Sequence, residues 1–268
     1  MGHTMNDKSK WDLADLKACS NLSYAQVWTG TRVSDGALVA LKLCKDSKTA
    51  QKEAAALQFY EGRGCVKLLD FDQNALLLEQ VAPGTLLKSL FLNDDDKAVK
   101  IISKIMRQLH GKSLGEPSGF PTLEELVSRT FSRPQGIDVE EAKALSKDLL
   151  QSTNKQVLLH GDLHHGNVLW SKGRGWLAID PKGIAGDPAY DVAAFVLNPI
   201  PELYRMPDVS KIMSRRLKLF SEMLTIEQNR LRDWTYVHAV MAACWAIEDG
   251  EDPSQWMLAA EWLPAPQF

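Results

Sequence analysis

Three oxygen-bearing side chains lie close together in the second half of the chain. Asp162 and Asn167 stand five residues apart, and Asp180 follows thirteen residues later, in VLLHGDLHHGNVLWSKGRGWLAIDPKG (residues 157–183). An apolar strand runs into a polar loop that holds Asp162 and Asn167, and a hairpin then delivers Asp180. Oxygen ligands gathered by loops suit Mg²⁺, which takes few protein ligands and shares the oxygens of substrate phosphates. With Asn167 and Asp180 on the metal, Asp162 faces a hydroxyl nucleophile as base or orienter. That division of roles is the phosphoryl-transfer arrangement of a catalytic Asp, a metal-binding Asn and a metal-binding Asp.

Upstream, Val39-Ala40-Leu41-Lys42 places a lysine on a strand, and Glu53 lies on the helix that follows. A strand Lys paired with a helix Glu completes the arrangement, because the cation must be held against the α/β-phosphates. A lone strand lysine is usually solvated, and a lone loop aspartate usually turns the chain. The order and placement of the whole set separate it from those ordinary roles.

Positioning these residues needs two kinds of structure, and the pattern changes character to supply them. Strands are expected at Gln26–Arg32 and residues 37–44, around the turn Ser34-Asp35-Gly36. An Ala-rich helix follows at 49–60, stopped by Gly62 and Gly64, then strands at 66–71 and 75–81. Ala82-Pro83-Gly84 punctuates the chain. Beyond it helices are expected at 94–110, 122–131, 139–152, 188–197, 209–224, 226–248 and 253–262. A β island (157–159, 168–170, 176–179) lies among them. The division is a sheet-rich nucleotide lobe at 1–81, a connector at 82–84 and a helical lobe at 85–268. Clefts between lobes are favoured ligand sites.

Composition narrows the function. The 268 residues carry 31 Lys and Arg against 34 Asp and Glu, a net charge of −3, with none of the basic footprint a nucleic acid partner requires. The longest apolar run is 239–247, about half a membrane span. The N-terminus lacks an apolar stretch, so no secretory signal and a cytoplasmic location are expected. Cys19, Cys44, Cys65 and Cys244 are scattered without metal or disulfide spacing, which reads as reduced thiols. Asn21-Leu22-Ser23 matches a glycosylation sequon that, without export, is a chance match.

The motifs HGDLHHGNVL and IDPKG and the KEAAAL helix resemble the aminoglycoside phosphotransferase family. Within it, GWLAIDPKGIAGDPAYDVAAFVLNP and WTYVHAVMAACWAIEDGED are similar to the streptomycin 6-kinase, or aminoglycoside/hydroxyurea resistance kinase, branch. The resemblance implies an α+β, bilobal protein-kinase-like fold with a small antiparallel-sheet N-lobe and a larger helical C-lobe. It implies that Lys42 holds the nucleotide phosphates, Glu53 orients Lys42, Asp162 is the catalytic base or orienter, and Asn167 and Asp180 bind Mg²⁺. The connector residues Glu79, Gln80 and Val81 would offer backbone groups to the base of ATP or GTP. His160 is expected to hold the loop by bonding carbonyls near Asp180, and no family role transfers to His165. The acceptor it implies is a hydroxyl of an aminoglycoside-type, cationic small molecule. The alternative is a sugar, amino alcohol or glycated amine phosphorylated by the same machinery.

The chain departs from the kinase pattern in places. No Gly-x-Gly-x-x-Gly loop occurs, and residues 20–24 (SNLSY) stand where phosphates would be covered. Asp180 is followed by Pro181-Lys182-Gly183 instead of Phe-Gly, with no Ala-Pro-Glu segment, which argues against a regulated protein kinase. A metallophosphatase reading of Gly-Asp-x-His lacks its downstream Asn-His-Asp cluster. A catalytically dead relative would be expected to lose Lys42, Asp162 or Asp180. Asp187 and Asp191 read as helix caps, Asp191 also bracing the catalytic loop. Glu248, Asp249, Glu251 and Asp252 form an acidic run that either ends a solvated helix or lines the acceptor cleft. Trp245 and Trp256, on either side of the run, read as core aromatics.

Overall fold

The computed structural model describes residues 10–19, 25–115, 118–133 and 136–263. The segment expected to cover phosphates, residues 20–24, lies outside the described residues, as does the sequon. The first half forms β1 (Leu13–Ala18), β2 (Gln26–Arg32), β3 (Leu38–Leu43), α1 (Ser47–Tyr60), β4 (Leu68–Asp72) and β5 (Ala75–Glu79). The strands make an antiparallel sheet ordered β1-β2-β3-β5-β4. Strand periodicity of two sends alternate residues of β3 to opposite faces. Val39 and Leu41 join Trp11, Ala75 and Leu77 in a small cluster on one face. Ala40 packs against the main core on the other, and Lys42 shares that side.

Helix α1 begins where the Asp46 carboxylate accepts from Thr49 N at 2.9 Å, an N-cap two residues earlier than the Ala-rich pattern predicts. It ends at Glu61 and Gly62, both at positive φ (52° and 77°). Ala50, Glu53, Ala54 and Leu57 share one buried stripe at helical spacing. Glu53 is therefore carried into the interior opposite β3.

Next come β6 (Pro83–Leu86), α2 (Asp95–Leu109), α3 (Leu123–Phe131), α4 (Glu140–Gln151), β7 (Val157–Leu159), β8 (Val168–Ser171), β9 (Gly175–Ala178), β10 (Ile184–Gly186), α5 (Asp191–Val196), α6 (Val209–Leu224), α7 (Gln228–Glu248) and α8 (Ser254–Trp262). Two small antiparallel sheets, β6-β8-β9 and β7-β10, lie among the helices. The architecture is α+β.

Four departures from the expected elements have physical reasons. β1 is an edge strand of weak strand formers, completed by pairing with β2 through a bulge between Ala14 and Lys17. Pro83 and Gly84, expected in a connector, belong to β6, because Pro83 to Leu86 find partners on β8. β10 is three residues long and exists only against β7. Residues 188–190 form a 3₁₀ turn before α5, capped by Asp187, which accepts from Ala189 N at 2.9 Å.

The apolar run 239–247 belongs to α7, buried nearly all round among α4, α5, α6 and α8; no described helix is long and apolar enough to cross a membrane. Arg216 on α6, 0% exposed, ties this core together. It donates to both Asp95 oxygens and to the carbonyls of Phe195, Val196 and Asn198. A buried guanidinium is tolerable only when its donors are satisfied in this way.

Candidate active site

The register of β3 and the buried stripe of α1 bring the first pair together. Lys42 Nζ lies 2.9 and 2.7 Å from the two Glu53 oxygens, and Glu53 is 3% exposed. The same ammonium reaches across to Asp180 Oδ1 at 2.5 Å. Burial would lower the Lys42 pKa, but Glu53 and Asp180 outweigh it and the net shift is upward. Burial would raise the Asp180 pKa, but Lys42 and Lys182 hold it well below the usual carboxylate range. Lys42 and Asp180 therefore keep their charges at neutral pH.

The catalytic-loop segment leaves β7, whose residues are all buried, through Gly161 at φ 79°. A Cβ there would meet Ile184 Cδ1 at 3.1 Å and Lys182 Cβ at 3.2 Å, so glycine is needed for both conformation and space. His160 is 0% exposed. Its Nε2 lies 2.9 Å from Ile179 O, and its Nδ1 accepts from Asp162 N at 3.3 Å. The ring thus ties the loop to the hairpin beside Asp180, as expected from the sequence. Asp191 accepts from His160 N at 2.8 Å and Gly161 N at 2.7 Å, and its Oδ2 lies 2.9 Å from His110 Nε2. This is the bracing role expected of it; the helix-cap role is not seen, because Asp191 is the first residue of α5 and its carboxylate turns to the loop amides instead of the helix's own.

Beyond that brace, Asn167 Nδ2 donates to Asp162 O at 2.9 Å and Asp162 Oδ2 at 3.2 Å. Lys182 Nζ sits between the two aspartates, 3.5 Å from Asp162 Oδ2 and 3.2 Å from Asp180 Oδ2. His164 Nε2 is 3.5 Å from Asp162 Oδ1. Asp180 has φ 64°, left-handed for a non-glycine residue, a strain of the kind that collects at functional sites. His165 points the other way, stacked on Phe195 at 3.9 Å and 3.9 Å from Asp95, where it anchors the loop to the core.

The structure thus brings Lys42, Glu53, Asp162, Asn167 and Asp180 into one cluster. The connector residues lie at the end of β5. The Glu79 N–H donates to Lys67 O and the Gln80 N–H to Leu38 O, while the Val81 N–H makes no hydrogen bond among the described residues. The Glu79 carboxylate is taken by Lys67 N and Arg174. The acidic run is not gathered with the cluster. Glu248 pairs with Arg133 at 2.9 Å, Asp252 accepts from Ser254 N, the first residue of α8, at 2.9 Å, and Asp249 and Glu251 are exposed. Asp187, besides its cap, accepts from Trp234 Nε1 at 2.7 Å and from Arg230.

Sequence reasoning passed over two groups. Lys182 was legible as a cation two residues from Asp180, in the same loop. His110 was not, because 81 residues separate it from Asp191. Cys44, Cys65 and Cys244 are buried and Cys19 is exposed, all as free thiols; burial, with Glu53 nearby, pushes Cys44 up to about 12. No cluster of three or more His, Cys, Asp or Glu that could hold a metal occurs among the described residues.

Comparison with known proteins gives the family and the fold. Residues 11–250 match the family model of aminoglycoside/hydroxyurea antibiotic resistance kinases. A hydroxyurea phosphotransferase of Kitasatospora aureofaciens is 32% identical over 81% of this chain and 65% of its own length. The chain thus spans just under two thirds of that relative. A streptomycin 6-kinase of Streptomyces glaucescens is 30% identical over 84% of this chain and 77% of its own. Among solved structures, a thermostable mutant of aminoglycoside phosphotransferase APH(4)-Ia, in ternary complex with ADP and hygromycin B, superposes with a TM-score of 0.66. It is 17% identical and covers 97% of this chain and 95% of that one. The structural likeness carries the fold, the sequence match carries the family, and together they show that the chain belongs to the aminoglycoside/hydroxyurea antibiotic resistance kinases.

Proposed function

We propose that the protein transfers the γ-phosphoryl group of ATP or GTP to a hydroxyl of a streptomycin-type aminoglycoside, with Mg²⁺ as the metal. The nucleotide would lie in the cleft between residues 1–81 and 85–268, its base against the backbone of Glu79 and Val81. The observation that carries the reading is the convergence on Asp180 of Lys42, locked by Glu53 at 2.7 Å, and of Lys182, which also reaches Asp162 of the Asp162–Asn167 pair. Similarity to a streptomycin 6-kinase points to the acceptor.

The donor set fits the metal. Asn167 commits its side-chain nitrogen to Asp162, so its Oδ1 is left for a cation, and Asp180, the second expected ligand, offers a carboxylate held ionised by Lys42 and Lys182. Bound there, Mg²⁺ would neutralise the phosphate oxygens. Lys42 would hold the α/β-phosphates, and Glu53 would fix its direction. Asp162 would accept or orient the acceptor's hydroxyl proton while the acceptor oxygen bonds to the γ-phosphorus and the bond to the bridging oxygen breaks. Lys182, between Asp162 and Asp180, would offset the carboxylate charge facing the incoming phosphoryl. The acidic residues Glu248, Asp249, Glu251 and Asp252 would attract a cationic acceptor at longer range.

A nucleotide-consumption screen with Mg²⁺ and ATP or GTP tests the proposal, using streptomycin, hydroxyurea, sugars and amino alcohols as acceptors. Phosphorylated streptomycin, and streptomycin tolerance on expression in a susceptible bacterium, are the expected results. Turnover of a neutral metabolite without any gain in tolerance would refute the aminoglycoside assignment and favour the metabolite kinase.

A further inference from the structure

Both oxygens of the Asp180 carboxylate are engaged by ammonium groups. Lys42 Nζ lies 2.5 Å from Oδ1, and Lys182 Nζ lies 3.2 Å from Oδ2. The two cations are held differently. Lys42 is also clasped by both Glu53 oxygens, at 2.9 and 2.7 Å, and its side chain is 12% exposed. Among the described residues the Lys182 ammonium pairs only with Asp180 and, at 3.5 Å, with Asp162 Oδ2, and its side chain is 44% exposed. Of the two, Lys182 is the one that solvent and an incoming ligand can reach.

The backbone beneath Lys182 is fixed while its side chain is not. The Lys182 N–H donates to His160 O at 2.7 Å. The next residue, Gly183, has φ 64°, and a Cβ there would lie 2.9 Å from Ala56 Cβ, so the loop is seated against α1, the helix that carries Glu53. From that fixed point a flexible four-carbon stem carries a compact charge. Exposed ion pairs contribute little to stability, because water screens them and holding long side chains in one geometry costs entropy. Folding therefore gives small reason for a lysine set between the carboxylate expected to meet the acceptor and the one expected to meet the metal. A ligand gives a better one, since a divalent cation on Asp180 would compete with this ammonium for the same carboxylate.

We propose that Lys182 is a displaceable cation that holds the place of a divalent metal on Asp180, so that the metal is admitted together with a nucleotide and not ahead of it. Against a lone metal ion, Lys182 would give up Asp180 Oδ2 and receive only water in exchange. Against a metal–nucleotide complex, it exchanges the carboxylate for phosphate oxygens, which accept charge-assisted hydrogen bonds from an ammonium. Lys42, clasped by Glu53, stays in place through the exchange. The inference rests on the kinase reading above, and assigns to Lys182 the coupling of metal to nucleotide.

Titration of the nucleotide-free full chain with Mn²⁺, followed by the electron paramagnetic resonance signal of the free ion, tests it. Lys182→Met removes a positive charge beside the ligand oxygen and should bind Mn²⁺ about tenfold more tightly than the parent, a gain already reduced by solvent screening of groups more than a third exposed. Lys182→Arg keeps the charge and should stay within about threefold of the parent. Calorimetry with Mg²⁺ and AMP-PNP should move the other way, with Lys182→Met binding at least about threefold more weakly because a charge-assisted phosphate contact is lost. A lysine serving only as a surface ion pair would change the melting temperature slightly and neither affinity. Mn²⁺ bound no more tightly by Lys182→Met than by the parent, equal tightening in Lys182→Arg, or parental Mg²⁺–AMP-PNP affinity in Lys182→Met overturns the inference and leaves the kinase reading standing. A parent protein that binds no AMP-PNP in the presence of Mg²⁺ overturns the kinase reading, and the role of Lys182 with it.

Discussion

Replacing Asp191 with asparagine should both destabilise the protein and slow catalysis. The carboxylate accepts from His160 N at 2.8 Å and Gly161 N at 2.7 Å, and its Oδ2 lies 2.9 Å from His110 Nε2. It is 1% exposed, so no water replaces what is lost. In Asp191→Asn the amide oxygen can keep Gly161, but the amide nitrogen then faces the His160 N–H, donor against donor. One buried N–H is left unsatisfied, at about 1–3 kcal/mol, and the surviving bond loses its charge assistance, at about 1 kcal/mol. The sum, about 2–4 kcal/mol, is a large share of the ~5–15 kcal/mol that holds a typical domain together. Urea titration should show an earlier midpoint with an unchanged m-value. Because the two braced amides immediately precede Asp162, kcat should fall by at least about tenfold while nucleotide affinity changes little. A variant within about 0.5 kcal/mol of the parent and with parental kcat would refute the bracing argument.

Other outcomes follow from the same geometry. Asp162→Asn should lower kcat by about 10²–10⁴ with nucleotide affinity nearly unchanged, and a parental kcat would remove Asp162 from the chemistry. Lys42→Met should weaken AMP-PNP binding measured by calorimetry, and equal affinity would deny Lys42 its phosphate role. Gly161→Ala forces a side chain into φ 79° against Ile184 and Lys182, and should cost about 1–2 kcal/mol on denaturation. His165 and His238 are held neutral by burial down to about 4, below the ordinary histidine value of about 6.5. Between those limits the unfolded chain binds the extra protons, so stability is full above pH 6.5 and falls as pH drops toward 4, by about 1.4 kcal/mol per pH unit per ring. Flat denaturation midpoints from pH 7 to 4.5 would contradict this.

Much of the site was legible because its parts are local. The strand of Lys42 announces itself by alternation, and the helix of Glu53 by its apolar stripe; both are short-range consequences of backbone geometry. Asp162 and Asn167 share one loop, and their spacing survives in any fold that keeps it. Asp180 lies one hairpin away, and the cap position of Asp187 follows from the proline beside it. The change of periodicity near residue 82 marks where the strand-rich part of the chain gives way to helices.

Tertiary structure decided the rest, because it depends on contacts that no sequence window contains. Lys42 meets Asp180 across 138 positions, and His110 meets Asp191 across 81. The strands β1, β6 and β10 have little strand character of their own and form because β2, β8 and β7 offer them hydrogen bonds. The sequence drew attention to the acidic run 248–252 because charge is visible in letters. Residue type and local spacing specify which groups are available, but whether a polar atom is buried, paired or left for a ligand is a property of the packed chain.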